Sequence, residues 1–229
     1  MESGHKEPDR QVKVTRPKPL LRGWFHAVAA VGAAILTIEL CLLSWHDTPR
    51  MLSMLIFGLS MVELYAVSAV YHMGNWSPRP YRVLRAIDHS NIFVLIAGTY
   101  TPLCFNVLSG WLRVTSLTAI WALALVGIAL SVLTLKLPRM VGTLLYIIMG
   151  WVSIGTLPAL LEVLPVGAIA LLMFGGVLYT IGGLIYARKW PDPFPRVLGF
   201  HEVFHLFVVA GGVVFAVVIA VWVLPFPRP

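Results

Sequence analysis

The sequence predicts an all-α membrane protein built as a bundle of seven transmembrane helices. The 229-residue chain is 59% hydrophobic and only 12% charged, which is too apolar for the surface of an ordinary water-soluble domain. Its apolar residues are grouped into seven runs of about 20 residues, the length that a helix needs to cross the hydrocarbon core. Because seven is an odd number, the two termini are expected on opposite sides of the membrane.

The first 22 residues contain six basic residues and no apolar segment. They are too polar for the start of a secretory signal peptide, and we interpret 1–22 as a disordered basic cytosolic tail. The seven-helix domain is then expected over 23–225, and 226–229 form a short second tail.

Seven helices follow in order, separated by short polar or proline-containing breaks. Their predicted bounds are about 24–44, 51–71, 87–108, 112–135, 141–161, 166–187 and 202–224, and such bounds are defined only to within a few residues. Pro102 and Pro158 fall inside the third and fifth runs, where each removes a helical hydrogen bond and predicts a bend. The sixth run carries a stripe of small residues that predicts close packing against a neighbouring helix: Gly175, Gly176, Gly182 and Gly183. Cys41 and Cys104 lie inside apolar runs, and we interpret both as packing residues.

The distribution of basic residues predicts the orientation of the bundle. Fourteen of the 17 Lys and Arg residues lie in the N-terminal tail and in the loops on its side, whereas Arg50, Arg113 and Arg228 lie on the other side. By the positive-inside rule, the N-terminus is expected in the cytosol and the C-terminus outside it. The basic residues alternate with apolar runs and do not follow one soluble face, so nucleic acid is not an expected partner.

Three histidines and one aspartate are predicted to meet at one membrane face. The second run ends at the face where the third and seventh begin, so His72, Asp88, His201 and His205 share it. Ser68 precedes His72 by four residues and His201 precedes His205 by four, so each pair projects from one side of its helix. Three imidazoles with one open position are the ligands of a catalytic zinc site. Asp88 is then expected to hold a water or orient a ligand, and Ser68 to donate a hydrogen bond nearby.

A single histidine at a helix end is usually only an interfacial polar residue, but four costly polar groups at one membrane depth indicate a site. His26 and His89 lie near the same face, and we interpret them as interfacial or supporting residues. His5 and His46 are expected in solvent.

The sequence HEVFH at 201–205 also matches the H-E-x-x-H pattern of zinc proteases, in which the glutamate is the general base. Glu202 lies about 100° around the helix from His201, and no third ligand follows it, so we disfavour an intramembrane protease. Two other acidic residues, Glu39 and Glu63, lie inside apolar runs. We interpret Glu63 as a packing residue out of phase with His72, and a proton pathway through both acids stays open as an alternative.

At these residues the sequence resembles the hemolysin III family, the bacterial branch of the progestin and adipoQ receptor group, which is similar in turn to alkaline ceramidases. The matching stretches are SAVYH at 68–72, RAIDHSNIFVLIAGTYTP at 85–102 and GFHEVFHLFVVAG at 199–211. The resemblance implies zinc bound by His72, His201 and His205, with Asp88 holding the zinc water and Ser68 beside it. It also implies a location in the bacterial plasma membrane.

The leading functional hypothesis is a Zn²⁺-dependent membrane enzyme that hydrolyses an amide or ester bond of a membrane lipid. Asp88 would accept a proton and Ser68 would steady the developing oxyanion. A channel, cytolysin or sensor with a structural metal site is the alternative, and direct binding of Asp88 to the metal would favour it. Metal transport is a third possibility, and imidazole ligands also accept iron or manganese.

Overall fold

The computed structural model describes residues 18–133 and 138–228, so most of the expected basic tail, including His5, lies outside the described residues. Within these ranges the chain is helical, and its only β pairing is an isolated bridge between Phe194 and Leu198. Seven helical spans are long and apolar enough to cross a membrane, which confirms the predicted fold class.

The helices follow one another with short connections. They are α1 (Trp24–Leu43), α2 (Thr48–Met73), α3 (Pro78–Val107), α4 (Gly110–Leu133), α5 (Arg139–Trp151), α6 (Leu157–Val163), α7 (Val166–Arg188) and α8 (Phe200–Val218). A 3₁₀ segment, Val152–Thr156, joins α5 to α6 within the fifth span, and a π-helical turn, Ile219–Val223, completes the seventh.

The first helix shows how the bundle divides its surface between lipid and core. Large apolar side chains three or four residues apart are exposed along its outer side: Val28, Val31, Ile35, Ile38 and Leu42. Its buried side carries His26, Ala33, Thr37 and Leu40. A helix with an exposed apolar stripe is unfavourable in water and suited to lipid contact.

The third helix is the most buried span and packs against α2, α4 and α5. Helices α5, α7 and α8 continue the bundle, and α8 returns to α1. The helices that carry the predicted site residues, α2, α3 and α8, therefore belong to one closed bundle.

The largest difference from the predicted bounds is the start of α3, at Pro78 rather than near residue 87. Pro78 occupies the first turn, where a missing N–H is tolerated, and Ser77 precedes it in an extended conformation. Hydropathy marks only the part of a helix that lies in hydrocarbon, whereas the first turns of α3 carry Arg79, Arg82 and Arg85. Asp88 consequently lies well inside a helix rather than at its beginning.

The predicted bend at Pro158 is confirmed as an interruption of the fifth span. The 3₁₀ segment ends at Thr156, immediately before α6, in which Pro158 lies in the first turn. Pro102 differs, because α3 is assigned as continuous helix through it.

The glycine stripe on α7 makes close contacts with two neighbours. A Cβ atom on Gly175 or Gly182 would lie 2.9 Å from Phe215 or Phe207 of α8. Gly176 and Gly183 instead face α5. The predicted packing role is confirmed, and the stripe serves two helix interfaces.

Residues 18–22 were assigned to the disordered tail, and here the structure corrects the boundary. The Lys18 ammonium donates a 2.8 Å hydrogen bond to the Gly74 carbonyl oxygen. The backbone N–H groups of Leu20 and Leu21 donate to the carbonyl oxygens of Arg196 and Val197 at 3.0 and 3.2 Å. This segment was assigned to the tail because it is basic, but its backbone pairs with the chain that leads into α8.

Candidate metal centre

The structure brings together the three histidines that the sequence singled out. One ligand nitrogen from each of His72, His201 and His205 lies within 4.8 Å of the other two, and Nε2 of His72 is 3.1 Å from Nε2 of His201. His72 comes from the last turn of α2, and the other two from the first two turns of α8. The predicted convergence is observed, while the roles of these residues stay a prediction.

The donor set fits a zinc ion. In a tetrahedral site with zinc–nitrogen distances of about 2.0 to 2.1 Å, two ligand nitrogens lie about 3.3 Å apart. The separation of the His72 and His201 nitrogens agrees with this value. All three rings lie at the wall of a cavity and are largely buried, as expected of ligands held by packing.

Asp88 lies beside the three-histidine cluster without belonging to it. Its Oδ2 atom is 3.9 Å from Nε2 of His72 and 3.8 Å from Nδ1 of His89, and it is outside the group whose ligand atoms all lie within 4.8 Å of one another. Ser68 is buried and makes a side-chain hydrogen bond with Asp88. The hydroxyl therefore lies at the carboxylate, and the predicted role of Ser68 stays a prediction.

His26, which the sequence marks only as an interfacial or supporting residue, lies directly against one of the three histidines. Its ring stacks on that of His205, with centroids 3.8 Å apart and planes 8° from parallel, and lies 5.1 Å from the Tyr65 ring. It is 2% exposed, and neither of its ring nitrogens has a hydrogen-bond partner among the residues that the structure describes. The only signal in the sequence is a histidine two residues inside an apolar run. The packing of α1 against α8 places it at the site.

Glu202 has a structural partner at each carboxylate oxygen. Its Oε1 atom is 2.5 Å from Nε of Arg22, and its Oε2 atom accepts a 2.8 Å hydrogen bond from the backbone N–H of Gly199. The side chain is fully buried. A general base needs a free oxygen within reach of the reacting proton, so this geometry argues against the protease interpretation.

Glu39, Glu63 and His46 lie apart from the cluster, whereas His89 lies beside Asp88. Glu39 and Glu63 are exposed on the outside of the bundle and do not line the cavity. Their exposure does not support a packing role for Glu63 or a proton pathway through the pair. His46 is exposed beside Trp45. The Nδ1–H group of His89 donates a 2.8 Å hydrogen bond to the Arg85 carbonyl oxygen.

A cavity of about 710 Å³ extends from the histidines into the bundle. Near the cluster its wall is polar, with His26, Ser68, Asp88 and Tyr186 among the lining residues. Farther along the helices the wall is dominated by apolar side chains: Leu64, Ile92, Leu95, Ile96, Leu103, Leu160, Leu172, Val208 and Phe215. A polar end joined to an apolar interior is suited to an amphiphilic ligand.

Comparison with known proteins identifies similar chains over nearly the whole length. A family model described as "Haemolysin-III related" matches residues 14–216. "Hemolysin-3" of Bacillus cereus is 34% identical over 203 residues, which cover 87% of this chain and 89% of that protein. "Hemolysin-3 homolog" of Bacillus subtilis (strain 168) is 37% identical over 159 residues, covering 69% of this chain and 71% of that protein.

Proposed function

Because the chain belongs to the haemolysin-III-related family, we propose that it is a zinc-dependent hydrolase that cleaves an amide or ester bond of a membrane lipid. It is an integral membrane protein of the bacterial plasma membrane, with seven apolar spans and bacterial relatives. The fold and the family are compatible both with an enzyme and with a channel, cytolysin or sensor. The choice between these functions therefore depends on the geometry of the site.

The observation that carries the proposal is the position of the three histidines at the polar end of the cavity. His72, His201 and His205 leave their ligand nitrogens within reach of one ion, and the same cavity continues between apolar side chains. A lipid can therefore place its acyl chain inside the bundle and its linkage at the histidines. The position of Asp88 outside the ligand group favours an open catalytic site over a closed structural one.

In the proposed reaction, zinc would act as the Lewis acid and the side chains of the protein would transfer the proton. Zinc held by the three histidines supplies a Lewis acid that polarises the substrate carbonyl and makes water more acidic. Asp88 accepts a proton from the attacking water and returns it to the leaving amine or alcohol. Ser68 donates its hydrogen bond to Asp88 and so keeps the carboxylate turned toward the histidines.

Aromatic side chains pack against two of the proposed ligands. The His26 ring lies flat against His205, and Tyr186 contacts His201 edge to face with ring centroids 5.6 Å apart. These aromatic contacts limit the rotation of the two imidazoles on α8. Apolar side chains dominate the inner part of the cavity wall, and electrostatic interactions beside such a low-dielectric surface are stronger than in water.

The proposal is tested with purified protein in lipid nanodiscs. Elemental analysis of the wild type is expected to give one zinc per chain, and His72→Ala and His205→Ala are expected to lose it. Fatty-acid release from a panel of amide- and ester-linked lipids should disappear in both variants. Asp88→Asn should keep zinc and lose at least about 100-fold in rate, as expected for loss of a general base.

Two outcomes would reject the mechanism. Hydrolysis that continues unchanged in metal-stripped protein would show that zinc is not required. Zinc loss in Asp88→Asn would make Asp88 a fourth ligand and favour a structural metal site. Arg79→Gln, at an exposed position of α3 that does not line the cavity, is the control variant.

A further inference from the structure

A second, smaller cleft opens beside the metal centre, between α3, α4, α5 and α7. Its volume is about 190 Å³. Two arginines, Arg85 and Arg139, contribute to its wall together with the polar side chains of His89, Ser131, Tyr146 and Tyr186. Among the described residues that line it there is no aspartate or glutamate. We call it the arginine cleft.

The arginine cleft is continuous with the main cavity. Five residues line both: Arg85, His89, Arg139, Tyr146 and Tyr186. His89 also connects the cleft to the metal centre, since its Nδ1 lies 3.8 Å from the Asp88 carboxylate, which is 3.9 Å from His72. A ligand at the three histidines can therefore extend a polar group into the cleft.

The guanidinium of Arg139, one of the two cleft arginines, is held in position by contacts with aromatic rings. The Arg139 guanidinium lies 4.7 Å from the centroid of the Tyr186 ring and 5.8 Å from that of Phe200. Arg139 also makes a side-chain hydrogen bond with Tyr186, and the other N–H groups of its guanidinium can bind an anion.

Neither cleft arginine forms an ion pair within residues 18–133 and 138–228, whereas Arg22, Arg50 and Arg228 each pair with an acid. Other exposed arginines in these ranges also lack an acidic partner, but these two share one cleft whose described wall has no acidic residue, and that concentration of positive charge favours an anionic ligand. Phosphate is the anion that the planar donor fork of arginine matches best, through paired charge-assisted hydrogen bonds.

We propose that the arginine cleft binds the phosphate of an anionic lipid head group while the acyl chain of the same lipid occupies the main cavity. The inference rests on the proposed function for the position of the acyl chain, and it specifies the substrate class as phosphate-bearing lipids. The cleft itself holds the head group and takes no part in bond cleavage.

The experiment compares two lipids that differ in one phosphate. Zinc-loaded protein in maltoside detergent micelles, which carry no phosphate, is titrated with 1-oleoyl lysophosphatidate and with 1-oleoylglycerol, and bound lipid is measured by native mass spectrometry. The phosphate-bearing lipid is expected to bind about tenfold or more tightly, the effect of one charge-assisted contact. The double variant Arg85→Gln/Arg139→Gln should lose this preference and keep its affinity for 1-oleoylglycerol.

The matched control is Arg79→Gln/Arg82→Gln, which removes two exposed arginines of α3 that line neither cavity. It should keep the full preference, because it changes net charge by the same amount. If the glutamine pair does not fold, Arg85→Lys/Arg139→Lys replaces it. That variant keeps the charge and loses the planar fork, so a partial loss of preference is expected.

Three results would overturn the inference. The wild type could bind the two lipids with equal affinity, or the cleft and control variants could lose the phosphate preference equally. Inorganic phosphate could also compete for the binding site as strongly as lysophosphatidate does. The binding assay does not depend on turnover. Lysophosphatidate binding without any hydrolysis would therefore reject the proposed function alone, and hydrolysis of neutral lipids without a phosphate preference would reject the inference alone.

Discussion

At the level of single residues, Glu202 separates the two interpretations of the HEVFH sequence. Its carboxylate is buried between Arg22 and the backbone of Gly199, so its role in this structure is to hold the start of α8. In an H-E-x-x-H protease, the same residue would be the general base.

Glu202→Gln is expected to lower the free energy of unfolding by about 2 to 3 kcal/mol, because it leaves the partly exposed Arg22 without its counter-charge. Thermal unfolding in detergent measures this loss. Fatty-acid release per folded molecule should stay within about twofold of the wild type, since the carboxylate takes no part in the reaction. A fall of 100-fold or more at unchanged zinc content would restore the general-base role.

His26 offers a second test at this scale, through its stacked contact with His205. His26→Ala removes a ring that holds a metal ligand in place and should weaken zinc binding about threefold to tenfold, the usual value of an aromatic pair. His26→Phe keeps the ring and should bind zinc as the wild type does. Competition against a zinc-chelating dye measures both affinities. If zinc affinity fell equally in the two variants, the ring nitrogens of His26, rather than the stacking of its ring, would support zinc binding.

These residues also show which parts of the site could be predicted. His72, His201 and His205 were identified because counting spans brings α2 and α8 to the same face, and because a four-residue spacing sets the side of a helix. His26 could not be identified in this way, since its position depends on tertiary packing between the first and last spans.

At the level of helices, α2 and α3 pack so closely that a side chain at Gly98 has no space. A Cβ atom there would collide with the side chain of Ser60. Because α2 carries His72 and α3 carries Asp88, their separation sets the distance between the proposed ligand and the proposed general base.

Gly98→Ala is therefore expected to push the two helices apart, destabilising the protein by about 1 to 3 kcal/mol and lowering the hydrolysis rate. Gly32→Ala is the control, because a Cβ at Gly32 meets no atom within 4 Å. The melting temperature and the rate of fatty-acid release measure the two effects. Similar behaviour of both variants would contradict a packing role for Gly98.

Element types were predictable from the sequence, but some ends were not. The seven spans followed from run length alone, and Pro158 correctly marked a break. The start of α3 was placed nine residues late because its first turns are basic rather than apolar. The backbone pairing of Leu20 and Leu21 was missed because a basic segment beside a membrane has no apolar pattern to distinguish an ordered chain from a tail.

At the level of the whole molecule, a bound ion would connect helices that are distant in the chain. Its proposed ligands come from α2 and α8, so zinc would bind the folded bundle and stabilise it by mass action. Chelation is expected to lower the melting temperature by several degrees, since about 3 kcal/mol is gained at 100-fold excess over Kd. Nanoscale fluorimetry with and without chelator measures the shift, and His205→Ala should show none. A shift of equal size in His205→Ala would place the stabilising metal elsewhere.

The pairing of Leu20 and Leu21 with the chain before α8 has a consequence for biosynthesis. The ribosome makes His72 and Asp88 early. His201, His205 and the backbone at 196–197 that pairs with Leu20 and Leu21 emerge only when fewer than 35 residues remain to be made. If the chain binds the proposed metal, insertion of the final span would therefore precede metal loading. Truncated or stalled chains would reach the membrane with six spans and only one of the three histidines.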